Sequence, residues 1–110
     1  MSVLLVLSTF PDEASATAAA RTLVEERLAA CVNRLPGIAS TYVWEGAVRE
    51  DTEVLLLAKT TTDRFEALRE RLLALHPHEL PEIIAVEVRA GHAAYLDWVA
   101  DATRSIARSP

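Results

Sequence analysis

A chain of 110 residues and 12.0 kDa, 51% hydrophobic and 25% charged, is the size of one domain with one core and lacks the composition of a disordered or repetitive protein. A formal net charge of -5, with ten arginines and one lysine scattered among the acids, excludes the basic footprint of a nucleic-acid binder. The single cysteine, Cys31, excludes an intrachain disulfide and a Cys-rich zinc module.

Val3 to Leu7 is apolar at every position, which predicts a strand dry on both faces; it is too short to span a bilayer and has no basic residue before it. A reducing, cytoplasmic setting without membrane attachment is therefore expected. Ser8 to Glu13 supplies capping groups and acids for a helix start, and a helix is predicted from about Asp12 to Leu28 with Ala16, Ala20, Leu23 and Val24 in one apolar arc. Ala30 to Leu35 reads as a strand, Pro36-Gly37 as a bend or bulge, and Ile38 to Trp44 as its continuation. Proline cannot donate to a ladder, so this strand belongs at an edge or kinks there.

Glu45-Gly46 and Arg49-Glu50-Asp51 read as turn and solvent-seeking interruptions, after which Val54 to Ala58 is a second run with no polar position. Asp63 with Glu66 resembles a capping box, and Phe65, Leu68, Leu72 and Leu75 mark the buried stripe of a second helix that His76-Pro77 stops. From Ile83 to Arg89 the residues Ile84, Val86 and Val88 alternate with Ala85, Glu87 and Arg89, an edge strand with one wet face. Gly91 breaks it. A terminal helix begins near His92 or Ala93, with Tyr95, Trp98, Val99, Ala102 and Ile106 on one side and Asp97, Asp101, Arg104 and Arg108 mostly on the other.

The order strand, helix, strand, strand, helix, strand, with an added C-terminal helix, is that of an α+β, ferredoxin-like βαββαβ sandwich with an antiparallel sheet. Right-handed crossovers place the first and third strands at its centre. Both main helices then lie on one sheet face, leaving roughly four to six large side chains of the other face uncovered. At about 1.5–3 kcal/mol each, that is on the order of 10 kcal/mol, comparable to the whole stability of a domain. A second copy of the chain is the economical cover.

Few residues carry chemistry. Cys31, where a helix gives way to a strand, is either a soft copper ligand or a small packed side chain. His76 and His78 flank Pro77 as two imidazoles, or Pro77 simply ends the helix. Lys59, the only lysine, stands at the end of a central strand to hold an anion, to pair with Glu82, or to meet solvent. Trp44, Tyr42, Tyr95 and Trp98 form either an aromatic cleft between subunits or ordinary core and interface. No Ser/His/Asp order, glycine-rich phosphate loop or HExxH pattern occurs, so neither catalysis nor an organic cofactor is expected.

Glu26 to Asn33, Pro36-Gly37-Ile38, Ser40, Tyr42, Trp44, Gly46, Glu53, Lys59-Thr60-Thr61, His76-Pro77, Pro81-Glu82, Gly91, Tyr95-Leu96 and Trp98 together resemble the CutA family of divalent-cation tolerance proteins, from about Val3 to Trp98. The resemblance implies a ferredoxin-like protomer, a homotrimer built like the PII signalling proteins, and a role in copper or divalent-cation tolerance. It also implies copper ligands at a cysteine whose position is Ser8 here and at a histidine pair that is Leu75-His76 here. Of these, only His76 carries a ligating side chain, and His78 stands where the family has tyrosine. The site expected from the sequence is thus an intersubunit cleft near Cys31, Lys59, His76 and Glu82. It would take copper, another divalent cation or a small anion; the alternative is a PII-like small-molecule sensor or protein-docking trimer in which metal is incidental.

Overall fold

A computed structural model of the chain describes residues 2–104. Its elements are β1 (Val3–Phe10), α1 (Glu13–Glu25), β2 (Cys31–Trp44), β3 (Ala47–Thr61), α2 (Thr62–Leu75), β4 (Ile84–Glu87) and α3 (Ala93–Ala102). The sheet order is β2-β3-β1-β4 and every neighbouring pair is antiparallel. The two unbroken apolar runs thus hold the centre, where neither face of a strand meets water in the way an edge does.

Alternation along the strands sets the core. Val6, Ser8 and Phe10 of β1 and Val54, Leu56 and Ala58 of β3 are buried on one face, against Ala16, Ala19 and Leu23 of α1 and Leu68 and Leu72 of α2. The intervening residues project from the other face. There Leu5 pairs with Lys59 and Val86, and Leu7 with Leu57 and Ile84. α3 packs on β1 and β3 and buries Val99, so it covers part of this face and leaves the rest open. Leu35 of β2 is 51% exposed, and Ile84 and Val86 of β4 are each 53% exposed.

Several boundaries differ from the sequence reading. α1 ends at Glu25, not Leu28, in a Schellman motif: the Leu28 amide donates to the Leu23 carbonyl and the Arg27 amide to that of Val24, with Arg27 at φ 59. That left-handed position usually goes to glycine, so no sequence signal marked the stop. The interruption expected at Arg49-Glu50-Asp51 is strand. Glu45 and Gly46, at φ 51 and 78, make a two-residue turn with both central residues left-handed, and pairing resumes at once with Trp44 opposite Ala47.

The capping box expected at Asp63 is absent, since α2 starts after an extended Thr61 with no side-chain cap. β4 is limited to Ile84–Glu87, and Ile106 and Arg108, expected on the last helix, lie outside the described residues. Pro36-Gly37 does form a bulge. Leu35 faces Leu55 but Ile38 faces Glu53, with Gly37 at φ 75. Beyond it the two strands leave the helices as a bare arm, and the radius of gyration, 14.9 Å, exceeds the roughly 13 Å of a compact chain of this length. Val43 and Val48, 69% and 72% exposed, face each other near its tip.

Candidate functional site

Two groups of polar side chains occupy opposite ends of the sheet. At one end Cys31 and Asn33 share a face of β2 because they are two residues apart, and register sets Cys31 beside Lys59. The Lys59 ammonium donates to Asn33 Oδ1 and lies 3.8 Å from Cys31 Sγ. α3 brings Tyr95 over the same spot. Burial raises the Tyr95 phenol above its ordinary pKa, and the neighbouring Cys31 sulfur adds to the shift. Tyr95 stacks obliquely on Trp98, ring centroids 5.5 Å apart, and both rings remain part exposed. Cys31, Lys59 and Tyr95 therefore lie together with Trp98 against the Tyr95 ring, rather than in the expected groupings of Cys31 and Lys59 with His76 and Glu82 and of Tyr95 and Trp98 with Trp44. Asn33 was missed, although the two-residue period of a strand puts it on the face of Cys31.

At the other end His76 leaves α2 and turns back on the core. Its Nε2 donates to the Thr9 carbonyl at 2.7 Å, its Nδ1 accepts the His78 amide at 3.0 Å, and its ring lies 4.2 Å from that of Phe10. Only the neutral Nε2–H tautomer satisfies both bonds, since a carbonyl must accept and an amide must donate. His78 adds a second ring 5.0 Å away. Burial holds the His76 pKa below its ordinary 6.5; the Thr9 bond opposes this, while nearby His78 lowers and Glu53 raises the value more weakly.

The sign for stability follows from that depression. The unfolded chain binds a proton at His76 more readily than the folded one. The contribution of His76 is therefore full above pH 6.5 and is lost as pH falls from there toward the depressed folded value. Urea unfolding at about pH 7.5 and about pH 5 should show a larger loss on acidification in the wild type than in His76→Gln. Equal losses would contradict the buried neutral imidazole.

Thr9 and Leu55, level with His76, are four residues along their strands from Leu5 and Lys59, about 13 Å. Within a protomer Cys31 and His76 therefore do not share a site. Glu82 is exposed before β4, and Lys59 forms no ion pair with it among the described residues. Trp44 lies near the tip of the arm, away from both groups. Among the described residues no three His, Cys, Asp or Glu side chains converge in metal-binding geometry, and no helix is long and apolar enough to cross a membrane.

Ser8 occupies the core beside Leu56 with its hydroxyl buried and unpartnered. An unsatisfied buried hydroxyl costs about 1–3 kcal/mol. Ser8→Ala is expected to raise stability on the order of 1 kcal/mol in urea unfolding. A loss of that size would mean the hydroxyl has a partner.

Comparison with known proteins adds the following. Residues 4–102 match the family model of the CutA1 divalent ion tolerance protein. The divalent-cation tolerance protein CutA of Thermus thermophilus is 54% identical over 99 residues, covering 90% of this chain and 96% of its own. The protein CutA of Mus musculus is 44% identical over 98% of this chain but only 61% of its own length, so the chain spans about three fifths of that relative. A solved structure of the Thermus thermophilus protein superposes with a TM-score of 0.91 at 52% identity, covering 93% of this chain and 99% of that one. The Oryza sativa CutA1 structure gives 0.91 at 39% identity, covering 94% and 95%.

Proposed function

The chain belongs to the CutA1 divalent ion tolerance family, and on that premise we propose that it is a cytoplasmic homotrimer that binds copper or another divalent cation and catalyses no reaction itself. The assembly rests on one observation: the sheet face that α3 only partly covers is apolar and open, with Leu35 half exposed on one edge strand and Ile84 and Val86 half exposed on the other. Monomeric proteins rarely leave such a continuous patch bare. Closing three copies about an axis turns the open faces toward one another and resembles the PII trimers. It also lets side chains 13 Å or so apart within one protomer approach those of a neighbour.

Cys31 supplies the soft thiolate that copper favours, with the Tyr95 phenol beside it. His76 adds an imidazole only if Nδ1 releases the His78 amide, which leaves His78 the freer nitrogen donor of the two. Titration of the assembled protein with copper(I) and copper(II), repeated on Cys31→Ser and His76→Ala, should give saturable binding that at least one substitution weakens tenfold or more, about 1.4 kcal/mol. Unchanged binding in both variants would reject these ligands.

A second reading has one observation in its favour. The Lys59 ammonium stands 3.8 Å from the thiol, where it opposes a metal cation and suits a carboxylate or phosphate. In that case the cleft is a sensor for a small anion, or a protein-docking surface, and metal is incidental. An anionic metabolite would then raise the melting temperature and copper would not.

A further inference from the structure

We infer that Cys31 and Lys59 are a peroxide-responsive pair, in which oxidation joins Sγ to Nζ as a reversible sulfenamide and thereby closes the cleft to its ligand. The effect on the ligand rests on the binding role proposed above; the bond itself does not. Strand register sets the two residues directly opposite each other, Cys31 on β2 and Lys59 on β3. Opposed β-carbons are about 5 Å apart, and the lysine stem turns its ammonium to 3.8 Å from the sulfur. Asn33 Oδ1, on the same face of β2, holds it there.

The pair is chemically isolated. Lys59 is the only lysine of the chain, and among the described residues no carboxylate engages it in an ion pair, so its ammonium is committed to the Asn33 oxygen and the thiol. Leu5 stands opposite Lys59 on the other side, and the Tyr95 phenol lies beside the sulfur. Cys31 is partly exposed, so a small oxidant reaches it. Because the chain has one cysteine, no second thiol can capture an oxidised sulfur within the protomer. The Lys59 amine is the nucleophile in reach.

The co-reactant is hydrogen peroxide. In the first step the Cys31 thiolate attacks one peroxide oxygen, the O–O bond breaks, and the departing hydroxide takes a proton from the Lys59 ammonium. Water, a sulfenic acid and a free amine result. In the second step the amine attacks the sulfur, so that the S–N bond forms, the S–O bond breaks, and the hydroxyl leaves with an amine proton as a second water. Sulfur gives up two electrons and the peroxide accepts them. Two thiols reverse the change, the first attacking the sulfur and releasing the Lys59 amine, the second reducing the mixed disulfide. While it stands, the bond consumes both the thiolate that suits copper and the positive charge that suits an anion.

The test is the mass of the chain. After the assembled protein meets hydrogen peroxide in the absence of thiols, the intact mass should fall by two hydrogens, with a linked peptide pair joining Cys31 to Lys59. Dithiothreitol should restore it. Lys59→Arg keeps a cation beside the sulfur but has no amine to form the bond, so it should gain oxygen at Cys31 instead and label with dimedone, a trap for sulfenic acid. Cys31→Ser should do neither, oxidation of Met1 being the background common to all three. Copper titration of the bridged protein should show no saturable binding, and binding should return once the bond is reduced and the reductant removed. A wild type that gains oxygen at Cys31 as Lys59→Arg does, or that resists peroxide altogether, overturns the pair and leaves the proposed binding standing. A bridged protein that still titrates with copper overturns the cleft as the copper site and leaves the bond standing.

Discussion

Phe10→Ala is expected to lower folding stability by about 3–5 kcal/mol, the cost typical of deleting a buried aromatic ring whose cavity cannot close. Phe10 is fully buried where β1 ends, pairs in register with Val54, and carries the His76 ring on its face at 4.2 Å. Its loss removes packing from the helix-covered face and also the wall that holds His76 over the Thr9 carbonyl. Unfolding in urea at one fixed protomer concentration is the measurement, since an assembly's stability depends on concentration. At a slope of about 1–3 kcal/mol per molar, the midpoint should fall by more than about 1 M. A shift of a few tenths would mean that this end of the core is not closed as described.

The second large effect concerns assembly and not folding. Ile84 and Val86 are about half exposed in the protomer, so replacing both with aspartate takes little from the fold of a single copy. In the assembly each is expected to lose its water. Two carboxylates per copy would enter an apolar interface, and at about 1.5–3 kcal/mol per large side chain the six lost contacts of a trimer amount to on the order of 10 kcal/mol. Ile84→Asp combined with Val86→Asp should therefore give a folded monomer at micromolar concentration, with native far-ultraviolet circular dichroism and the mass of one chain. An undiminished trimer would show that these side chains face solvent in the assembly as well.

Much of the architecture was legible because each of the two central strands contains an unbroken apolar run and the edge strands do not. Val3 to Leu7 and Val54 to Ala58 fixed the centre of the sheet, and Pro36 marked an edge that bulges there. The arm was harder to read. From Ala47 to Glu53 neither face of β3 is buried in the protomer, so nothing selects an alternating pattern, and a paired strand looks like a polar loop. The end of α1 was lost for a different reason, an arginine in a conformation that glycine normally signals.

The site was legible in part. Cys31, Lys59, Tyr95 and Trp98 were each singled out, and strand register with the return of α3 brings them together. The placing of His76 was not readable. A histidine before a proline suggests a free ligand, whereas here both ring nitrogens are held by backbone, one through a carbonyl 67 residues away in sequence. Only the fold sets that carbonyl there.

Everything said of the cleft depends on the open apolar face being covered by other copies of the chain. Sedimentation equilibrium or light scattering at low micromolar protomer concentration tests this most directly. The expected result is one species of three times the 12.0 kDa chain mass. A stable, folded species of 12.0 kDa at that dilution would contradict the account.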